Sequence, residues 1–511
     1  MVNQQEIYQN NNGFYVTSDE LKLKLDSGKP LMLFDIRDSK QFEQKHIPGS
    51  ACAVCNEESK KNIMPRLPKD MEIVLIGENE EYPKQMSEMM RPIGLNAKYL
   101  EGGILSWKWQ FNESLDKDIS PQELKRLLDS SSTSSSNDKE TLFLLDVREP
   151  DEYKQWNIDG SINIPLGKLS EEESLILIPK DKKIVTICPH GNRATIAKYI
   201  LERYGYNAAS LEGGLKAWSF SFEYTSDEYP TSNESAKVML IQLRRIGKGC
   251  MSYILDSEGQ SIVIDPVYPV DDYIQKASEI GTKISAVADT HQHADHVSAA
   301  KELAKKTGAI YYQSSYENYV GEGKGDKQVK DGDVIDIGKI KIKVLYTPGH
   351  TNGSISFLVK SNGYGDNNNN NNNNNNKNDK LLFTGDTLFV NGIGRPDLRD
   401  KAKEFAPTLY DTLHNKLFRL SKDVIVFPAH FDRDLPSPQV ISSTMGEIEK
   451  KGHDLLKLDK QSFVDKLSSL VMPTPSNFKE IIAINTGNKP LLGPSEAFEL
   501  EIGPDRCSIS M

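Results

Sequence analysis

Three imidazoles and a carboxylate stand within six residues at His291, His293, Asp295 and His296. Neutral imidazole nitrogens together with carboxylate oxygens suit borderline divalent ions such as zinc(II) or iron(II). An isolated His is commonly a hydrogen-bonded core residue, but crowding of this kind has no structural need. The chain has nine His, and two more share this local context: His350 ends Thr347-Pro348-Gly349-His350, and His430 ends Phe427-Pro428-Ala429-His430. Asp386 ends a similar run. Seven positions therefore offer metal-ligating atoms.

Each of these residues follows a short apolar segment of β type: Ile284 to Ala288, Ile340 to Tyr346, Leu381 to Phe383 and Val424 to Phe427. Strands that end on one sheet edge bring distant residues together and hold them rigid. In order and spacing the set resembles the metallo-β-lactamase superfamily: an HxHxDH loop, a distant His, a bridging-position Asp and a final His. The resemblance covers about Leu240 to His430 and implies an αβ/βα sandwich of two sheets with the metal at one edge.

That resemblance implies two chemistries. With two metals, His291, His293 and His350 hold one ion, Asp295, His296 and His430 hold the other, and Asp386 lies between them. A bridging hydroxide then hydrolyses a thioester, as in glyoxalase II. With one iron held by His291, His350 and Asp386, open positions remain for dioxygen and a sulfur ligand. His293, Asp295, His296 and His430 then surround the site or are remnants of a second one. The chain resembles persulfide dioxygenases more closely. Gly392-Ile393-Gly394-Arg395-Pro396-Asp397 is similar to their loop in which the Arg is implicated in binding glutathione, so Arg395 is expected to pair a substrate carboxylate. Pro475-Ser476-Asn477-Phe478 and Ile481 to Gly487 are similar to the closing segment of bacterial relatives. Phe431-Asp432 lacks the Tyr that some glutathione-using members place near the substrate, which leaves the thiol carrier open. Cys250 reads as a small apolar strand residue.

A second reactive candidate is Cys188, in Cys188-Pro189-His190-Gly191-Asn192-Arg193 between the strand-like Ile184 to Ile187 and the helical Ala194 to Arg203. Backbone N–H groups at a helix N-terminus favour a thiolate, so a lowered pKa is expected there. This loop belongs to an internal repeat. Phe34-Asp35-Ile36-Arg37 and Leu145-Asp146-Val147-Arg148 lie 111 residues apart, and the same offset relates Glu101-Gly102-Gly103 to Glu212-Gly213-Gly214 and Trp107 to Trp218. Before the Asp the offset falls to 103, which the Ser-rich tract Ser130 to Ser136 accounts for as an exposed loop insertion. Alternating strands and helices predict a parallel sheet in each copy. The repeats resemble rhodanese domains, which implies that Cys188 carries sulfane sulfur as a persulfide and that the loop to Arg193 stabilises the anion. In the first copy the offset lands on Gly77, followed by Glu78-Asn79-Glu80-Glu81, so that copy is expected to be inactive.

The whole is read as an α/β multidomain chain: two rhodanese-like α/β domains, then a metallo-β-lactamase αβ/βα sandwich. The expected boundaries are 14–112, 116–225, 236–435 and a C-terminal extension of the metal domain at 436–511, with a polar linker over about 223–236. The asparagine run Asn367 to Asn376 fits a hairpin tip between two strands of the third domain.

A formal charge of −11 with no basic patch argues against nucleic acid or an anionic membrane as the main partner. No apolar run is long enough to span a bilayer, and the first residues carry no signal core, so cytosol is the default compartment and an organelle the alternative. Five scattered Cys do not make a disulfide framework. Cys52 and Cys55 form a lone CxxC, and Cys507 is one place too early for a prenylation box.

The expected function is that of an iron(II)-dependent sulfur dioxygenase that oxidises glutathione persulfide or a similar small persulfide with dioxygen to sulfite, coupled to sulfur transfer at Cys188. A sulfur-carrier protein is a possible further partner. The alternatives are a thioester hydrolase with one or two zinc ions and an attached sulfurtransferase, or a persulfide-binding sensor or scaffold.

Overall fold

In a computed structural model the chain divides into two compact units, Met1–Trp218 and Ser219–Met511. The structure describes residues 13–53, 56–112, 118–133, 142–230, 237–319, 326–360, 379–397, 401–431, 439–451, 454–469, 477–491, 493–501 and 508–510. The asparagine run, Cys55, Asp432, Pro475, Ser476 and Cys507 lie outside these.

In the first unit each repeat builds a parallel sheet. The strand order is Ala51–Cys52, Leu31–Asp35, Glu72–Ile76, Asn96–Leu100 in the first copy, with Tyr15–Val16 added at its edge. In the second it is Ile162–Asn163, Leu142–Asp146, Lys183–Ile187, Ala208–Ser210. Central strands buried on both faces read as continuous apolar runs, which is why these segments show no alternation. The Asp-x-Arg signature of the repeat is structural. Arg148 grips buried Asp146 through Nε–Oδ1 at 3.0 Å and Nη2–Oδ2 at 2.7 Å, and Arg37 grips Asp35 at 2.9 and 2.7 Å. Each pair locks the turn that leaves its strand.

The two copies share one core, in which Phe34, Met64, Leu75 and Met90 pack with Cys188, Ile196 and Leu201. The helix Pro121–Thr133 runs into the serine tract, so Ser130 to Ser132 are helical rather than a loop. Its apolar positions Leu124 and Leu127 are buried, and three Ser at its end cost too little helix propensity to stop it.

The second unit is a sandwich. One sheet runs Phe222–Pro230, Lys237–Arg245, Met251–Ser257, Gln260–Ile264, Lys283–Ala288, Ile310–Ser314, Asp326–Val329. The other runs Val334–Ile337, Ile340–Tyr346, Ile355–Lys360, Asp379–Gly385, Ile425–Pro428, Ser443–Thr444. Alternation divides each strand between two cores. Tyr253 and Leu255 meet Ile342 and Val344 between the sheets, whereas Ile254 faces the helices Asp271–Glu279 and Ala300–Thr307. On the far side Leu345 and Leu382 pack with Ala402–Asp411 and Lys460–Ser469. This is the expected αβ/βα arrangement.

Two boundaries differ from expectation. Residues read as the end of the second repeat and a linker form the strand Phe222–Pro230, paired antiparallel with Lys237–Arg245 along its whole length. It is an edge strand, where acidic residues such as Glu223, Asp227 and Glu228 are tolerated because one side meets water. The C-terminal residues are integral to the sandwich. Ser443–Thr444 is a strand of the second sheet, Ile481 and Ile484 of the helix Phe478–Asn485 fill the core under the first, and Ser508–Ser510 pairs with Gly392–Gly394. Among the described residues no helix is long and apolar enough to cross a membrane.

Candidate functional site

His291 follows a strand of the first sheet, while His350, Asp386 and His430 follow three strands of the second, so the ligands gather at one edge of the sandwich rather than of one sheet. His291 Nε2 and His350 Nε2 each lie 3.6 Å from Asp386 Oδ2. All three atoms are buried and lack a hydrogen-bond partner. Orphaned buried polar atoms are costly, and three converging on one point fit a shared cation.

The other ring nitrogens are held so that Nε2 presents its lone pair. His350 Nδ1 donates to the Arg395 carbonyl at 2.9 Å. His291 Nδ1 donates to Thr290 Oγ1 at 3.0 Å, whose own proton goes to Asp265 Oδ2 at 2.9 Å. Burial and the neighbouring His293 and His350 hold His291 well below its ordinary pKa, and burial lowers His350. Both are therefore neutral and ready to bind metal. Gly394 completes the seat, since a Cβ there would lie 1.6 Å from the Asp386 carbonyl oxygen.

The remaining four candidates form a network beside this point. Asp295 lies 3.0 Å from His296 Nδ1 and 3.2 Å from His430 Nε2, and accepts from Cys250 Sγ at 3.1 Å. Burial alone would raise Asp295, but His296 and His430 hold it well below the carboxylate range. His430 Nδ1 reaches Asp386 Oδ1 at 2.6 Å and so orients the shared carboxylate. His293 Nε2 points to Asp265 Oδ1 at 3.2 Å, while its Nδ1, like His296 Nε2, is buried without a hydrogen-bond partner, and His293 groups with Asp295 and His296 rather than with His291 and His350. Burial opposes its charge, yet Asp265 outweighs that and raises it to about 9. Cys250, expected to be inert, is fully buried against Asp295, and burial pushes its thiol up to about 12.

Arg395 departs from expectation. Its guanidinium is fully buried and forks onto Asp397, Nε–Oδ1 2.7 Å and Nη2–Oδ2 2.6 Å, so the carboxylate it holds is the chain's own. Its carbonyl is what serves the metal site.

Sequence reasoning missed the residues that fix the metal loop from outside. Asp265 adopts a left-handed backbone, φ 50°, and accepts from Thr290 N at 2.7 Å. Asn485 Nδ2 donates to the carbonyls of His293 and His296, both at 2.9 Å, and its Oδ1 accepts from Ser298 N. Glu501 accepts from Val297 N at 2.8 Å and pairs with buried Arg245 at 2.5 Å. The only signal for these contacts was the likeness of the segment around Ile481 to Gly487.

In the first unit Cys188 sits at the mouth of the helix Asn192–Arg203, with Ala194 N–H donating to its Sγ at 3.2 Å. The thiol is nevertheless raised, not lowered. Burial of a sulfur that is 1% exposed outweighs the N–H groups of Ala194, His190 and Gly191 and the charge of Arg193. Arg193 itself is engaged with Glu152 at 2.8 and 2.7 Å. The Glu-Gly-Gly motif packs beneath this loop, since a Cβ on Gly214 would lie 2.2 Å from the Cys188 carbonyl. At Gly77 a Cβ would meet Pro83 Cγ at 2.6 Å, so the first copy has no room for a nucleophile there.

Residues 17–110 and 120–221 each match the rhodanese-like domain family, and residues 245–364 match the metallo-beta-lactamase superfamily. The chain joins two rhodanese-like domains to a metallo-β-lactamase domain. Its similarity to the human mitochondrial persulfide dioxygenase ETHE1 is 28% identity over 255 residues, 49% of this chain and 88% of that protein. With a hydroxyacylglutathione hydrolase of Francisella tularensis it is 31% over 180 residues, 35% of this chain and 61% of the relative. The crystal structure of ETHE1 from Myxococcus xanthus is 28% identical with a TM-score of 0.41, covering 48% of this chain and 97% of that one.

Proposed function

We propose that the metallo-β-lactamase domain is an iron(II)-dependent persulfide dioxygenase. It converts glutathione persulfide or a similar small persulfide, with dioxygen and water, to sulfite and the thiol. The observation that carries this reading is the set of three unpartnered atoms, His291 Nε2, His350 Nε2 and Asp386 Oδ2, which is a two-His, one-carboxylate arrangement. Iron bound there supplies a redox centre with open positions for dioxygen and for a sulfur ligand.

The chain's own residues do the positioning. Thr290 and the Arg395 carbonyl fix the two imidazoles, and His430 holds the outer oxygen of Asp386. Asp295 is engaged by His296, His430 and Cys250, whereas His293 Nδ1 and His296 Nε2 beside it are buried without a partner, which keeps open the second reading below. Similarity to persulfide dioxygenases over nearly their whole length supports the same reading. In the second repeat Cys188 carries sulfane sulfur, with the loop N–H groups placed to stabilise the outer sulfur. The first repeat is inactive.

The proximity of Asp295, His296 and His430, with the likeness to hydroxyacylglutathione hydrolase, favours one second reading, a two-zinc thioester hydrolase. Adding glutathione persulfide to the iron-loaded protein separates the two. Oxygen uptake that stops in His350→Ala is expected; hydrolysis of lactoylglutathione without oxygen uptake would overturn the assignment.

A further inference from the structure

The turn between the strands Lys237–Arg245 and Met251–Ser257 belongs to the first sheet, yet it is stitched to the last ligand segment of the second. Met251 N donates to the Ala429 carbonyl at 2.7 Å and Phe431 N to the Gly249 carbonyl at 3.2 Å, which sets Cys250 opposite His430 in an antiparallel bridge. Ala429 N in turn donates at 3.0 Å to the carbonyl of Gly385, the residue before Asp386. Gly249 permits the close approach, with φ 80° and room for a Cβ only 3.4 Å from the Phe431 carbonyl oxygen. The same turn grips the metal loop. Lys248 Nζ donates to the Asp295 carbonyl at 2.5 Å and to the Glu501 carbonyl at 2.9 Å.

Side chains carry this connection inward. Cys250 Sγ donates to Asp295 Oδ2 at 3.1 Å, and the same oxygen meets His430 Nε2 at 3.2 Å. The other nitrogen of that ring lies 2.6 Å from Asp386 Oδ1. Cys250, Asp295, His430 and Asp386 are all buried, so protein groups alone decide how each is turned. A buried carboxylate takes its orientation from the donors that reach it, and groups behind a metal ligand fix the ligand in the same way. Without the thiol proton, Asp295 Oδ2 keeps one of these two contacts.

We propose that Cys250 is a positioning residue for the metal centre. Its S–H fixes Asp295, Asp295 fixes the ring of His430, and His430 fixes the carboxylate of Asp386. The thiol itself touches neither metal nor substrate. This rests on the metal lying at His291, His350 and Asp386, and it places control of that seat in a turn of the opposite sheet. The sulfur then acts as a hydrogen-bond donor and not as the small apolar filling that its place in an apolar strand suggests.

Filling and donation separate by substitution. Cys250→Val fills the space without a donor, Cys250→Ala lacks the donor and crowds nothing, and Cys250→Ser restores a donor while adding polarity. The full-length protein is loaded with iron(II) under argon, and the rate at which bipyridine removes the iron is followed by absorbance; urea midpoints of metal-free samples show that each variant is folded. Iron should leave about tenfold faster from the valine and alanine variants, the lower end of what loss of a group behind a metal ligand costs, and within about twofold of wild type from the serine variant. Wild-type release from the valine or alanine variant, or fast release from the serine variant, overturns the positioning role. The expected pattern of release in a protein that takes up no oxygen on glutathione persulfide would overturn the dioxygenase assignment and leave Cys250 in place.

Discussion

Asn485 shows how far from the ligands the metal loop is decided. One side chain bonds two carbonyls of the loop and the amide of Ser298, so Asn485→Ala removes three hydrogen bonds. The expected cost is about 1–3 kcal/mol, read as a lower urea midpoint and weaker metal retention. The imidazoles give a pH dependence. His291, His296 and His350 all have lowered pKa values, chiefly through burial, so the unfolded chain binds their protons first. Metal-free protein should therefore lose stability as pH falls below the ordinary His value of 6.5, and urea midpoints at pH 7 and pH 5 will show it. Asp289, raised by burial to about 6, works in the opposite direction between its ordinary 3.8 and 6, and so does His293 between 6.5 and about 9, to which Asp265 raises it against its burial, but they are two groups against three.

At this scale the seven candidate residues were legible because few folds need so many His after strands. The partners of Arg193 and Arg395 were not. Glu152 is distant in sequence, and Asp397 stands two residues away in a turn whose shape no periodicity announces.

Among the elements, the edge strand Phe222–Pro230 is the one the sequence concealed, since acidic residues on its open side look like a linker. It covers Lys237–Arg245 and buries Phe222 against Tyr273. A chain beginning at Ser219 should keep the stability of the metal domain, whereas one beginning at Lys237 exposes a long edge and forfeits about 1.5–3 kcal/mol for the phenylalanine alone. Urea unfolding and light scattering of the two fragments give the comparison; equal midpoints and no aggregation would contradict the strand's role. The four strands that deliver ligands were legible from apolar runs ending in His or Asp. Which sheet each joined was not, because pairing between distant strands leaves no local mark.

Across the whole molecule, the duplication and its order ahead of a metal domain could be read from spacing alone. The boundary could not, because the repeat signature stops at Trp218 without a turn or a proline to mark it. Each unit has its own cores and its own candidate centre. Cys188→Ser should therefore abolish sulfur transfer and leave oxygen uptake on glutathione persulfide within about twofold of wild type. Loss of both activities would show that the persulfide must first pass through Cys188.

The central claim is a single metal at His291, His350 and Asp386. Metal content of anaerobically purified protein tests it most directly. The account predicts about one iron per chain, lost in Asp386→Ala and retained in His296→Ala. About two zinc ions per chain, falling to one in His296→Ala, would contradict it.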